Sequence, residues 1–128
     1  MKNKVQLITY ADRLSGGGFA ELKALVDGPL AGLFGTVHVL PFFTPYDGAD
    51  AGFDPVDHTM VDPRLGSWDD VRALSASADV MADLIVNHVS AQSAGFKDFL
   101  EKGEASEFAE LFLTYDKVFP EGASEADL

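Results

Sequence analysis

Cysteine is absent from the 128 residues, so the chain has no disulfide, thiol nucleophile or thiolate metal site. This absence suits a reducing compartment, and we expect a cytoplasmic protein. Basic residues are also scarce, because nine Lys and Arg stand against 21 Asp and Glu, for a formal net charge of -12. Nucleic acids and anionic membrane surfaces are bound through clustered Lys and Arg, so we expect neither as a partner.

Long hydrophobic runs are missing as well. No stretch approaches the roughly 18 apolar residues of a membrane span, and the N-terminal MKNKVQLITYADR has an apolar run too short for a signal peptide, which ends at Asp12. We therefore expect no membrane partner. The remaining composition, 47% hydrophobic, is that of an ordinary soluble domain that can bury a core.

Three short apolar runs, each bounded by turn or polar residues, predict buried β-strands: Val5–Tyr10, Thr36–Leu40 and Val80–Val86. Apolar residues at helical spacing between the first two runs predict a helix that ends at Gly28. Between the second and third runs, Ser67 with an acid three residues later has the spacing of a capping box and predicts a second helix. The order strand, helix, strand, helix, strand implies parallel strands, as in a doubly wound sheet or a (β/α)₈ barrel.

The connection from Pro41 to Gly66 is much longer than the usual 2 to 6 residues, and such loops tend to be functional. It follows the carboxyl end of a strand, where these folds place their active sites. It carries five aspartates, with aromatic residues between them: Asp47, Asp50, Asp54, Asp57 and Asp62. Two interpretations stay open. The aspartates are turn formers beside Gly and Pro, or they accept hydrogen bonds from sugar hydroxyls while the aromatic rings contact the sugar face.

The sequence predicts neither a calcium site nor a nucleotide site. Ala49 and Ala51 stand where an EF-hand loop needs acids, which argues against calcium. The run Gly16–Gly18 lacks the Lys-Ser or Lys-Thr of a phosphate loop, so we expect no nucleotide and no other cofactor.

Polar residues interrupt and end the third predicted strand. Asp83 lies within the run, and a buried aspartate needs a hydrogen-bonding partner, which favours a structural role. Asn87 and His88 end the run at the face where a site is expected, so His88 is either structural or functional. His38 lies inside the second strand and is interpreted as structural. Beyond this strand, residues 91–128 predict one or two amphipathic helices with an acidic face.

The run Gly52–His58 (GFDPVDH), followed by Val61–Ser67 (VDPRLGS), resembles the GYD...DY...VDP..GT signature of the α-amylase superfamily, glycoside hydrolase family 13. Asp83, Asn87 and His88 match the D...NH region at the end of that family's third barrel strand. Longer stretches are similar to the branch that transfers a glucosyl group from sucrose to phosphate: QLITYADR, HVLPFFTPYDGADAGFDPVDHT, LGSWDD and IVNH.

The resemblance implies an α/β fold, the N-terminal part of a (β/α)₈ (TIM) barrel. Residues 1–88 are expected to form about three β/α units, and residues 89–128 the start of domain B, which is inserted after the third strand. A complete barrel needs about 250 residues, so the chain is expected to be a fragment of a larger enzyme. Three strands leave two sheet edges unpaired, and we expect marginal stability in isolation.

The resemblance also implies the site. Asp50 and His88 are expected to hydrogen-bond glucose hydroxyls, and Phe53 to lie against the sugar ring. Phe53 and His58 stand where many amylases have tyrosines, which favours the sucrose-using branch. That branch is not thought to need the calcium that some amylases hold at the position of Asn87, so no metal is expected. The positions implied to be structural near the site are Asp54, Asp57, His58, Asp83 and Asn87.

The implied reaction is a retaining double displacement. A carboxylate attacks the anomeric carbon of sucrose, an acid protonates the departing fructose, and phosphate releases α-glucose 1-phosphate. The nucleophile and the acid/base are expected beyond residue 128, so the chain is expected to hold no catalytic residue and to be inactive alone. Two alternatives remain: another family 13 glucosidase, transglucosidase or phosphorylase, or a non-catalytic sugar-binding protein.

Overall fold

A computed structural model describes residues 3–49, 51–124 and 126–127. The chain divides into two compact units, Met1–Ser93 and Ala94–Leu128. No helix in the described part of the chain is long and apolar enough to cross a membrane.

The first unit is built on a three-stranded parallel sheet. Its strands are β1 (Gln6–Thr9), β2 (Thr36–Val39) and β5 (Asp79–Ala82), and β2 lies in the middle. Thr36 pairs with both Gln6 and Asp79, and Val39 pairs with both Thr9 and Ala82. The predicted parallel order along the chain is therefore confirmed.

Two helices cover one face of this sheet. The helix α2 (Phe19–Asp27) joins β1 to β2 and ends at Gly28, as predicted. The helix α3 (Trp68–Ser75) precedes β5 and begins at the predicted capping box. There, Ser67 N donates to Asp70 Oδ2 at 2.8 Å, and Asp70 N donates to Ser67 Oγ at 3.4 Å. A shorter helix, α1 (Ala11–Ser15), had no periodic signal and was not predicted.

The core lies between the helices and the sheet. Its largest fully buried apolar side chains are Phe19, Leu22, Val37, Val39, Phe42 and Leu74. The opposite face carries the row Ile8, His38 and Met81, which are neighbours in the strand register. Ile8 is 61% exposed. In a (β/α)₈ barrel one sheet face contacts the outer helices and the other faces the barrel interior, and this division matches that arrangement.

The third predicted strand was too long. The strand β5 ends at Ala82 rather than Val86, opposite Val39, which is the last residue of its partner β2. Leu84 and Val86 are 75% and 78% exposed. Asp83 consequently lies just after the strand, whereas the sequence had suggested a position inside it.

The long connection between β2 and α3 contains an antiparallel hairpin, which was also missed. Its strands are β3 (Phe43–Pro45) and β4 (Pro55–Val61). The pairing shifts register on either side of Thr44. Such irregularity breaks the alternation of apolar and polar residues on which strand prediction depends.

The second unit contains α4 (Ala94–Lys102), two 3₁₀ turns and α5 (Tyr115–Val118). The prediction of helices here is confirmed. Phe112 packs against Phe99 and Phe96, with ring centroids 5.0 and 5.3 Å apart. The sequence placed a domain boundary after residue 88, whereas the compact units divide after Ser93. Assignment of the second unit to an inserted domain stays a prediction.

Candidate functional site

The backbone leaves the sheet at Ala82 and continues as Asp83–His88, called the exit segment below. This segment lies at the carboxyl end of a parallel strand, the position where barrel enzymes carry their sites. Its first residue, Asp83, has an Oδ1 atom 2.9 Å from Nε2 of His38 in β2, and both side chains are largely buried. This pair holds the start of the exit segment against the sheet.

Two further histidines join the exit segment to the hairpin. His58, in β4, has its Nε2 atom 2.8 Å from the carbonyl oxygen of Ile85. His88 has its Nε2 atom 2.5 Å from the carbonyl oxygen of Phe53, the second residue before β4. A carbonyl oxygen only accepts, so both Nε2 atoms must donate. The hairpin and the exit segment thus form one unit of structure.

Ser90, two residues after the exit segment, also joins this part of the chain to the hairpin. Its backbone N–H donates to the carbonyl of Pro55 at 2.9 Å, and its hydroxyl donates to Oδ2 of Asp54 at 3.0 Å. Ser90 is buried, with 1% of its surface exposed. Asp54 therefore holds the chain after the exit segment in place.

The predicted site residues differ in their accessibility. Asn87 and His88 are exposed, and the ring of Phe53 is 43% exposed. Asp57 instead accepts hydrogen bonds from the Thr59 hydroxyl and backbone, which hold the pKa of Asp57 below its ordinary value. Asp57 stabilises its own strand and makes no hydrogen bond to the exit segment. Asp50, the other predicted sugar ligand, lies outside the described residues.

An ion pair between the buried Asp62 and the exposed Arg64, near the hairpin, was not singled out from the sequence. Asp62 is 4% exposed, and Arg64 Nε lies 3.0 Å from both of its carboxylate oxygens, with Nη2 2.6 Å from Oδ2. Burial raises the pKa of Asp62, but the hydrogen bonds from Arg64 outweigh burial and leave the pKa below its usual value. The available signal was that Arg64 is the only basic residue between Pro41 and Asp70.

This ion pair borders a cleft of about 200 Å³. The lining includes Tyr10 after β1, Pro41 after β2 and the turn residues Gly48 and Gly52. A Cβ added to Gly48 would lie 2.7 Å from Arg64 Nη2, so the guanidinium packs directly against the turn backbone. The ion pair supports the loop from which the sugar-binding aspartate is expected to project.

The described residues contain no group of three or more His, Asp or Glu side chains that could hold a metal ion. What the geometry offers is an exposed aromatic residue, Phe53, whose backbone carbonyl accepts a hydrogen bond from the imidazole of the exposed His88. A ring face and a hydrogen-bonding nitrogen suit a ligand with one apolar face and several hydroxyls.

The parallel sheet, its crossover helices and the candidate site at the strand ends define a class of fold: the arrangement is that of the N-terminal part of a (β/α)₈ barrel. No family model matches the chain. Comparison with individual proteins gives a more specific result than the fold does. Over all 128 residues, the chain is 74% identical to sucrose phosphorylase of Agrobacterium vitis and 59% identical to sucrose phosphorylase of Bifidobacterium adolescentis.

A solved structure agrees with these relatives. The crystal structure of sucrose 6F-phosphate phosphorylase from Thermoanaerobacter thermosaccharolyticum is 43% identical, covers 91% of this chain and superimposes with a TM-score of 0.82. The chain covers 26% and 25% of the two sucrose phosphorylases and 23% of the solved chain, so it spans about a quarter of the relatives' length. The resemblance to family 13, and within it to sucrose phosphorylase, is confirmed along the whole chain.

Proposed function

We propose that this chain forms the glucosyl-binding part of an enzyme that transfers the glucosyl group of sucrose to phosphate. The observation that carries the proposal is the 74% identity to a sucrose phosphorylase along all 128 residues, including the hairpin and the exit segment. Sucrose and phosphate are the partners, and the cytoplasm is the proposed location.

In this proposal Asp50, Phe53 and His88 bind the glucosyl ring. The Nε2 atom of His88 donates to the Phe53 carbonyl, so in the neutral imidazole Nδ1 is free to accept a hydrogen bond from a sugar hydroxyl. The exposed part of the Phe53 ring lies against the apolar face of the sugar. One hydrogen bond thus couples the aromatic contact to the polar contact.

The neighbouring residues support this site. His38 and Asp83 hold the start of the exit segment, and Asp54 holds Ser90 behind it. Asn87 is exposed beside His88 and binds no metal in this proposal. The unit Ala94–Leu128 is proposed to begin the domain inserted after the third barrel strand.

The chemistry requires two carboxyl groups about 5 to 5.5 Å apart in a retaining enzyme. One forms a bond to the anomeric carbon as fructose leaves, and the other gives fructose a proton. A phosphate oxygen then displaces the carboxylate and yields α-glucose 1-phosphate. We assign neither carboxyl group to this chain, whose part is to bind and orient the glucosyl ring.

The test is a hybrid enzyme, in which this chain replaces the matching quarter of the Agrobacterium vitis sucrose phosphorylase. We expect the hybrid to release glucose 1-phosphate from sucrose and phosphate. The same assay with sucrose 6F-phosphate distinguishes the activity named for the solved relative. A folded hybrid that yields no glucose 1-phosphate from sucrose would contradict the proposal.

A further inference from the structure

All three histidines of the chain hydrogen-bond to or from the exit segment: His38 and His58 contact it, and His88 belongs to it. His38 lies in the central sheet, and His88 is proposed to bind the sugar. His58 does neither. We propose that His58 is a positioning residue that fixes the exit segment, and through it His88, for binding of the glucosyl ring. This inference rests on the proposed function.

The exit segment needs such an anchor because it has no sheet partner. Its ladder ends at Ala82, and its exposed Leu84 and Val86 side chains lie on either side of the buried Ile85. The carbonyl of Ile85 receives its hydrogen bond from His58. Ile85 is therefore held both by burial of its side chain and by the hydrogen bond to its carbonyl.

The contacts between hairpin and exit segment form a reciprocal clasp. His58 in the hairpin donates to Ile85 in the exit segment, while His88 in the exit segment donates to Phe53 in the hairpin. The two bonds run in opposite directions between antiparallel stretches, 53 to 58 and 85 to 88. Ser90 also joins these stretches through the Pro55 carbonyl and Asp54. We therefore expect loss of the His58 bond to shift the His88 bond without opening the junction.

The ring of His58 is itself held in place. It is half-buried and lies 5.9 Å from the ring of Phe43, measured between centroids. A rigid ring transmits the position of the hairpin to the Ile85 carbonyl. A misplacement near 1 Å in a binding group can lower turnover by about a hundredfold, so this single hydrogen bond can matter for catalysis.

The experiment compares two substitutions in the hybrid enzyme. In His58→Gln, the side-chain amide N–H extends about as far as Nε2 of histidine and can still donate to the Ile85 carbonyl. In His58→Asn, the side chain is shorter and its N–H does not reach that carbonyl. We expect kcat/KM for sucrose to fall about tenfold to a hundredfold in His58→Asn and to recover most of that loss in His58→Gln. Equal kcat/KM in the two variants would overturn the inference.

Trp68→Phe is the matched control. Trp68 Nε1 donates to the carbonyl of Thr59 at 2.8 Å, one residue along from His58. The control removes the same kind of bond from the same strand, on the side of α3. We expect its melting temperature to fall as much as that of His58→Asn while kcat/KM stays near the unmodified value. A loss of kcat/KM equal to that of His58→Asn would reduce His58 to a structural role and overturn the inference.

A readout independent of turnover separates this inference from the proposed function. In hybrids labelled with ¹⁵N-histidine, the His88 ring resonances should shift in His58→Asn and stay in place in His58→Gln and Trp68→Phe. Unmoved His88 resonances in His58→Asn would overturn the inference. An inactive but folded unmodified hybrid would contradict only the proposed function, and the resonances would still decide the role of His58.

Discussion

Replacement of Phe42 by Ala tests whether this residue, the third after β2, holds the two helices and the hairpin together. The Phe42 side chain is 2% exposed, and its ring centroid lies 5.1 Å from Phe19, 5.0 Å from Phe43 and 5.9 Å from Trp68. Truncation of a buried Phe to Ala costs about 3 to 5 kcal/mol. Three aromatic partners, each worth about 0.5 to 1.5 kcal/mol beyond area burial, place the loss in the upper part of that range.

The assay is native-state proteolysis of the hybrid enzyme, with cleavage followed within this chain. Each 1.4 kcal/mol is a factor of ten in the population of the open form, so Phe42→Ala should accelerate cleavage about several hundredfold to several thousandfold. Phe53→Ala is the matched control, because its ring is 43% exposed and its loss should cost less than about 1 kcal/mol. Equal cleavage rates for the two variants would refute the packing argument.

Three further predictions concern the site and its support. Asp50→Ala and His88→Ala in the hybrid should each cut turnover severely while the fold stays intact, and near-normal phosphorolysis in both would contradict the site assignment. Because the pKa of Asp62 is lowered in the fold, its contribution to stability should be full above about pH 3.9, the ordinary pKa of an aspartate, and disappear as the pH falls through the folded pKa. Urea unfolding of the hybrid and of its Asp62→Asn variant between pH 2 and about 6 checks this sign, and a stability difference that does not change with pH would contradict it. Gly18→Ala should lower the melting temperature, since an added Cβ would lie 2.2 Å from the carbonyl oxygen of Leu65, and an unchanged melt would show that the backbone yields there.

The elements with strong local signals were predictable. The apolar run of β2 contains a buried strand, and the glycine after α2 ends that helix. The reciprocal hydrogen bonds of Ser67 and Asp70 open α3 where the capping spacing placed them. Each of these signals comes from residues that are close together in the sequence, so the sequence alone was sufficient to predict these elements.

The contacts of the proposed site residues were not predictable from the sequence. Phe53 and His88 were named from motifs, but nothing local indicated that they are bonded to each other across 35 positions. The end of β5 was misplaced because the apolar run continues to Val86, while the strand stops where its partner β2 stops. A run of apolar residues records burial tendency, and the length of a strand also depends on its neighbour.

The sequence by itself determined the alternation of strands and helices, which follows from periodicity and capping along the chain. Its motifs resemble those of the α-amylase superfamily, and that resemblance implied the barrel and the proposed sugar-binding residues. Only the tertiary structure decided which of these residues meet: His58 with Ile85, and Phe53 with His88. The reason is physical, because these bonds join a side chain to a backbone carbonyl, and every residue carries a carbonyl, so only the fold selects the partner.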